Sequence, residues 1–309
     1  MAQSPLIVVV GSLNMDLVVR APQMPSPGQT VLGDGFKSSP GGKGANQAAA
    51  ISRLGGRCRM IGRVGDDGFG QALVANLKAQ GVECASVLVT SAASGVAMIV
   101  VDAHGENSIV VASGANFYLT PDDIFARAEL FEEAAVVLLQ LELPLPTVRA
   151  AIEVARRHGA KVLLDPAPAP RQMPPELMAV DVISPNESEA QILTGQTGNE
   201  EKADKLLACE LLRAGAKAAV MKLGQRGSLV VTSDGHFYTI PPYRVDVVDT
   251  TAAGDAFTGA LALAVANGEP LRQAARFANA AGALACTRRG AQDAMPSAEE
   301  VRMLMDDQP

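Results

Sequence analysis

Cysteine, histidine and long apolar runs are all scarce in this 309-residue chain, and each scarcity removes a class of function. The four cysteines, Cys58, Cys84, Cys209 and Cys286, stand far apart without paired metal-ligand spacing, so reduced thiols and a cytoplasmic address are expected. The opening MAQSPLIVVVGS points the same way, because its apolar run is too short for a signal peptide. His104, His158 and His236 are equally dispersed and give little support to a histidine metal site or a Ser/His/Asp triad. No apolar stretch reaches bilayer-spanning length. Basic residues are in deficit: 26 Lys plus Arg face 33 Asp plus Glu, giving a net charge of −7 with no basic block, so nucleic acid is not expected as the main partner. Neither G-x-G-x-x-G nor G-x-x-x-x-G-K-[ST] occurs, which disfavours a dinucleotide-dependent oxidoreductase and a Walker-type phosphate loop.

What remains is a globular composition, with 48% hydrophobic and 19% charged residues, long enough for one large α/β domain or two modest ones. Leu6-Ile-Val-Val-Val10, ending at Gly11, is a continuous apolar run of the kind found in strands buried on both faces, which predicts a parallel sheet covered by helices. Similar runs at 59–64, 135–139, 161–164, 180–184 and 218–222 alternate with helical spacing such as 147–157, the rhythm of a doubly wound α/β fold. Two stretches break that rhythm. Segments 17–20 with 30–36, and 95–102 with 108–112, read as short strands joined by turns without an intervening helix. They predict a small antiparallel sheet projecting from the main one, either a cover for a site or dimer surface or a plain excursion of the chain. Beyond Pro241 the Ala-rich spacing predicts helices over 252–267 and 271–287.

Four segments could carry chemistry. Asn14 and Asp16 are two apart after the first strand, so in extended backbone both side chains leave one face and could grip adjacent hydroxyls, or simply organise a turn. In Pro40-Gly-Gly-Lys-Gly-Ala-Asn46, glycines allow a ligand close to the backbone, and Lys43 and Asn46 share a face of a first helical turn; loop geometry alone is the other reading. Asn186 and Glu189 in Ser184-Pro-Asn-Glu-Ser-Glu189 form a near capping box and could equally hold waters of a Mg²⁺ ion. In Val248-Asp-Thr-Thr-Ala-Ala-Gly-Asp255, small residues open a helix with bare amides, an anion cradle, and Asp255 falls in the first turn. A base beside an anion cradle suggests phosphoryl transfer.

Taken in order with Leu141-Glu142, Asp165-Pro-Ala-Pro-Ala169, Leu223-Gly-Gln-Arg-Gly227 and Thr287-Arg-Arg-Gly-Ala-Gln292, these segments give the chain a resemblance over nearly its whole length to the ribokinase group of the PfkB carbohydrate-kinase family. The resemblance implies a single domain over 1–309, a three-layer α/β/α sandwich with a β lid at about 13–40 and 94–114. It implies a cytoplasmic enzyme that uses ATP and Mg²⁺ to phosphorylate the 5-hydroxyl of D-ribose, and a homodimer formed through the lid. Residues matching Asn14, Asp16, Gly42, Lys43, Asn46 and Glu142 would hold the sugar, Asp255 would be the base, and the amides of Ala252, Ala253 and Gly254 would receive the phosphoryl group. Asn186 and Glu189 match the motif supporting Mg²⁺ through water, and Asn186, Lys222, Gly224, Gly227, Gly254 and Asn279 would contact the nucleotide. A K⁺ ion would sit by position against Asp249, Thr251, Ala285, Arg288 and Gly290. Two positions depart from the group: Ala294 stands where a hydroxyl ligand is common, and Lys222 where Thr is common, its ammonium free to meet a nucleotide phosphate. The alternatives are a kinase of the same fold for deoxyribose, another pentose, a ketohexose or a nucleoside, and a sugar-binding regulator without catalysis.

Overall fold

The computed structural model describes residues 4–196 and 201–308, apart from the side chain of Glu201. Numbered along the chain, the strands are β1 (Leu6–Val10), β2 (Asn14–Arg20), β3 (Gly35–Gly41), β4 (Arg57–Gly65), β5 (Glu83–Thr90), β6 (Gly95–Val101), β7 (Asn107–Ala112), β8 (Ala134–Leu139), β9 (Lys161–Leu164), β10 (Val182–Ile183), β11 (Ala218–Lys222), β12 (Ser228–Thr232) and β13 (Phe237–Ile240). The helices are α1 (Lys43–Arg53), α2 (Gly68–Ala79), α3 (Pro121–Phe125), α4 (Leu145–Arg157), α5 (Pro175–Met178), α6 (Glu187–Thr194), α7 (Glu201–Arg213), α8 (Ala253–Ala266), α9 (Leu271–Ala285) and α10 (Ala298–Asp307).

Nine strands form the main sheet in the order β13-β12-β11-β10-β9-β8-β1-β4-β5. Every pair from β11 to β5 is parallel, while β12 and β13 add an antiparallel edge. All five residues of β1 are buried because both faces are covered. Ile7 and Val9 enter one core cluster with α1, α2, α8, α9 and α10, whereas Leu6, Val8 and Val10 enter another with residues of α3 to α7. The two-residue period of the strand thus divides the interior into the two helical layers of an α/β/α sandwich. Helix α8 is apolar around its whole circumference and is buried from Asp255 to Val265, wedged between α1 and α9. No helix among the described residues is long and apolar enough to cross a membrane.

The second sheet has the order β3-β2-β6-β7. Its β2/β3 and β6/β7 pairs are antiparallel as expected, but the central β2/β6 pair is parallel. The connection from β2 to β6 runs through β3, α1, β4, α2 and β5, a long crossover of the kind parallel pairing requires. Strand β3 also lies further along the chain than the expected 30–36. Register places Gly35 opposite Arg20 and Gly41 opposite Asn14, while residues 22–34 run mostly exposed and meet β2 only at their end, where the Asp34 N–H donates to the Arg20 carbonyl at 3.0 Å.

Candidate active site

Polar side chains gather where the parallel strands end, at the carboxyl edge of the sheet, the place where open α/β sheets bind ligands. Ser12 follows β1, Gln140 follows β8, Asp165 follows β9 and Lys222 closes β11. Across this edge lie the first turns of α1 and α8 and the inner face of the small sheet, which carries Asn14 and Asp16.

Glu142 anchors one end of the site. Its Oε2 accepts from the Ser12 hydroxyl, from the Lys43 backbone N–H at 3.1 Å and from Asn14 Nδ2 at 3.4 Å. Gly42 makes the entry to α1 possible: its φ of 89° is in the left-handed region, and a Cβ there would lie 2.7 Å from the Asn14 nitrogen. Asp16 is pushed up to about 7, first by burial and then by the negative charges of Glu142 and Asp255. Burial pulls the Lys43 ammonium down, but Asp255, Asp165, Glu142 and Glu189 together hold it above its ordinary range. The pocket is a cluster of carboxylates around one cation, lined with donors and acceptors for hydroxyl groups.

Asp255 sits at the centre, 6% exposed. Its Oδ2 accepts from Asn46 Nδ2 at 2.9 Å and its Oδ1 from Gln47 Nε2 at 3.0 Å. Burial raises its pKa above the ordinary carboxylate value, opposed by the charge of Lys43 and by the two amide donors and assisted by the charge of Asp165. Gln47 is held in turn: Nε2 also donates to Asp165 Oδ2 at 2.8 Å, and Oε1 accepts from Gln140 Nε2 at 2.6 Å. Asp165 is ion-paired with Lys222 Nζ at 2.8 Å. A continuous buried network therefore runs from Lys222 through Asp165 and Gln47 to Asp255.

The helix start beside Asp255 is unusual. Ala252 has φ 57°, the only non-glycine residue with positive φ among the described residues, and it turns the chain sharply into α8. The N–H of Ala253 donates to the Thr250 carbonyl at 3.2 Å, so the N–H of Gly254 is the cradle amide left free of that turn. Gly254 also lines a cleft of about 250 Å³ whose walls include Tyr243, Val247 and Phe257 and whose polar edge includes Lys222, Gly224 and Asn279. Gly227 lines it too. The amide nitrogen of Asn279 donates to the carbonyls of Ile240 and Pro241, which fixes this side chain at the cleft wall. Lys222 Nζ lies 4.0 Å from where a Gly254 Cβ would stand, so this ammonium reaches the cradle while paired to Asp165.

Asn186 and Glu189 do form the capping box. Asn186 Oδ1 accepts from the Glu189 N–H at 2.8 Å, and Glu189 Oε2 accepts from the Asn186 N–H at 2.7 Å. Oε1 of Glu189 has no hydrogen-bond partner among the described residues, and burial raises this carboxyl against the pull of Lys222. No group of three or more His, Cys, Asp or Glu side chains suited to a metal ion occurs among the described residues; the remaining oxygen of Glu189 is the hard donor this corner offers to a hydrated cation. Asp249 joins the loop before α8 to the chain beyond α9: Oδ1 accepts from Thr251 N–H and hydroxyl, and Oδ2 from Gly290 N–H at 3.0 Å. Burial works against the charge of Asp249, but these hydrogen bonds hold its carboxyl below the ordinary range. The Cys286 carbonyl, next to Ala285, accepts from the N–H of Asp249. Arg288 turns its guanidinium away to Glu300. Ala294 is fully buried and offers no oxygen from its side chain.

The sequence reading had no role for Ser12, Gln47, Gln140, Asp165 as a side chain, or Asn116. A polar residue one or two positions after a buried strand, as at Ser12, Gln140 and Asp165, and a glutamine within an alanine-rich helix were the available signals, and Asn116 had neither.

A family model described as pfkB family carbohydrate kinase matches residues 4–298. A ribokinase of Bacillus subtilis is 40% identical over 300 residues, covering 97% of this chain and 99% of that protein. A deoxyribokinase of Salmonella typhi is 38% identical over 296 residues, covering 95% and 96%. The solved structure of Arabidopsis thaliana ribokinase complexed with ribose and ATP superposes with a TM-score of 0.89 at 33% identity, covering 98% of this chain and 99% of that one.

Proposed function

Since the chain belongs to the pfkB family of carbohydrate kinases, we propose that it transfers the γ-phosphoryl group of ATP to the 5-hydroxyl of D-ribose, giving D-ribose 5-phosphate and ADP. The observation that carries this reading is the position of Asp255: a buried carboxylate in the first turn of α8, with the hydroxyl-binding pocket on one side and the Gly254 cleft on the other. In this reading Asn14, Asp16, Gly42, Lys43, Asn46 and Glu142 hold the sugar, and Lys222, Gly224, Gly227 and Asn279 border the nucleotide. The new O5–P bond forms as the bond between the γ-phosphorus and the β,γ-bridging oxygen breaks, and ADP leaves with that electron pair. A carboxylate is too weak a base to strip an alcohol beforehand, so Asp255 orients the hydroxyl and takes its proton late. The free amide of Gly254, the start of α8 and the ammonium of Lys222 stabilise charge on the phosphoryl group as it passes. Asn186 and Glu189 are the residues that would hold Mg²⁺ through water, Glu189 by its unused oxygen. When bound, that ion neutralises the terminal phosphates.

Purified protein with ATP, Mg²⁺ and D-ribose is expected to release ADP and D-ribose 5-phosphate, and a coupled assay without turnover above background would refute the assignment. The similarity to a deoxyribokinase favours a second reading, in which 2-deoxyribose is the better substrate. Comparing kcat/KM for ribose, deoxyribose and other sugars decides between them. Asp249, Thr251, Ala285, Arg288 and Gly290 are the proposed K⁺ ligands, largely through backbone carbonyls, and the methyl side chain of Ala294, itself fully buried, leaves that shell one side-chain oxygen poorer. K⁺ is expected to raise the rate over Na⁺ in the same assay; equal rates in the two salts would remove the cation site.

Asp16 gives the reaction a pH dependence. Its carboxyl titrates near 7, so the apo fold draws stability from it at low pH and loses that as pH rises through about 7, where the charge becomes buried. The sugar hydroxyls bond best to the ionised form. KM for the sugar is therefore expected to rise as pH falls from about 8 to about 6, and Asp16→Asn to remove that slope while raising KM throughout. A slope unchanged in the variant would assign the titration elsewhere.

The small sheet is the proposed lid, with Asn14 and Asp16 on its inner face. The register puts Val19, Phe36, Met98 and Val110 on the opposite face, all exposed. An apolar sheet face of this kind fits a second copy of the chain, and a homodimer through the lid is part of the proposal. A Met98→Asp/Val110→Lys double variant is expected to sediment as a monomer where the parent sediments as a dimer; a parent that is itself monomeric would reject it. The four free cysteines support a reducing, cytoplasmic address.

A further inference from the structure

Asn116 lies in the turn after β7 and is 1% exposed, 102 residues from its neighbour Asn14, which is 2% exposed. The two ends of an asparagine amide differ, one accepting and the other donating, so its orientation can be read from fixed partners. The peptide group of Leu13 supplies them. Leu13 N–H donates to Asn116 Oδ1 at 2.9 Å, and the Leu13 carbonyl accepts from Asn116 Nδ2 at 3.1 Å. The second hydrogen of that Nδ2 points at Asn14 at 2.7 Å, where only an acceptor fits, so Asn14 must present Oδ1 there. Its own Nδ2 is thereby turned toward Glu142 Oε2, at 3.4 Å, and the sugar pocket. Gly95, opposite Asn14 in the register, keeps the space for this contact: a Cβ there would lie 2.1 Å from Asn14 Oδ1 and 2.3 Å from Asn116 Nδ2.

We infer that Asn116 is a specificity-positioning residue, which locks Asn14 as a hydrogen-bond donor toward the pentose and so enables it to recognise the 2-hydroxyl. The inference rests on the ribose reading above. A hydroxyl facing this donor accepts from Asn14 and donates its own proton to a carboxylate of the Glu142 and Asp16 pair. A sugar lacking that oxygen leaves a buried N–H and a buried carboxylate without partners, the situation in which polar sites discriminate strongly. Without Asn116 the Asn14 amide is free to turn over, and its carbonyl then faces the carboxylates as one more acceptor.

The test is the ratio of kcat/KM for ribose to that for 2-deoxyribose. Asn116→Ala is expected to lower this ratio about tenfold. In an Asn14→Ala background the same substitution is expected to move it by less than about twofold, because the amide it acts through is gone. Asn116→Asp keeps the size of the side chain but offers only acceptors, so it turns the Asn14 amide over and lowers the ratio at least as far. It also carries the test should the alanine variant fail to fold, with thermal melting as the control. Equal losses on both sugars, or the same change in ratio with and without the Asn14 amide, would reduce Asn116 to a structural prop and overturn the inference. A parent enzyme that treats the two sugars alike would overturn the ribose reading itself, since Asn14 would then recognise no 2-hydroxyl, and the inference with it.

Discussion

Asp255→Asn is expected to lower kcat by about 10³-fold while the dissociation constant for D-ribose stays within about threefold of the parent value. The expectation follows from the contacts of the two carboxylate oxygens. Gln47 cannot turn over, because its Oε1 is held by Gln140 and its Nε2 is shared with Asp165. Asn46 can, since its Oδ1 is buried without a partner, and a turned Asn46 would accept from the new amide nitrogen. The pocket therefore keeps its shape and loses only its proton acceptor. Calorimetric titration with ribose beside a single-turnover rate separates the two effects, and a rate within tenfold of the parent would remove Asp255 from the role of base.

The same substitution is expected to stabilise the fold at neutral pH. Burial raises the Asp255 carboxyl above its ordinary value of 3.8, so its contribution to stability is complete below that value and is lost as pH rises through the folded-state value. At pH 7 the unfolded chain carries this carboxyl ionised in water, whereas the folded parent must either bury the charge or take up a proton, and the neutral isostere does neither. A higher melting temperature for the inactive variant than for the parent is the expected sign of a stability and activity trade-off.

Asp165→Ala is expected to cost about 3–5 kcal/mol of stability, and a Lys222→Met/Asp165→Leu double variant to recover most of it. Asp165 is 1% and Lys222 12% exposed, so removing the carboxylate alone strands an ammonium in a desolvated place. Replacing both partners removes the stranded charge and restores apolar packing. The network adds a functional loss: Gln47 forfeits one of the contacts that aim it at Asp255, so both variants are expected to turn over slowly even when folded. Chemical denaturation measures the first effect, and a single variant as stable as the parent, or a double variant as unstable as the single, would contradict it.

Lys222 shows how far residue identity could be read without the fold. Its replacement of a commoner Thr suggested an ammonium free for a nucleotide phosphate. The structure gives it a carboxylate partner 57 positions away at the end of β9, while keeping it at the edge of the cleft. The capping-box reading of Asn186 and Glu189 needed only their three-residue spacing and is realised, because both partners lie within one helical turn. The expected strand at 30–36 shifted to Gly35–Gly41, because β-branched residues mark a preference for extended chain but a strand forms only where a neighbour offers its hydrogen bonds.

The buried parallel strands, their alternation with helices, the small second sheet and the two glycine-bearing helix starts were all written in local pattern, since side-chain period and backbone freedom act over a few residues. The network behind Asp255 was not. Gln47 meets Gln140 across 93 positions and Asp165 across 118, and those meetings exist only because β8 and β9 lie side by side under α1 and α8. The orientation of the Asn14 amide has the same origin: a hydrogen bond closes only when two distant pieces of chain are brought within about 3 Å, and packing, not local preference, sets that distance.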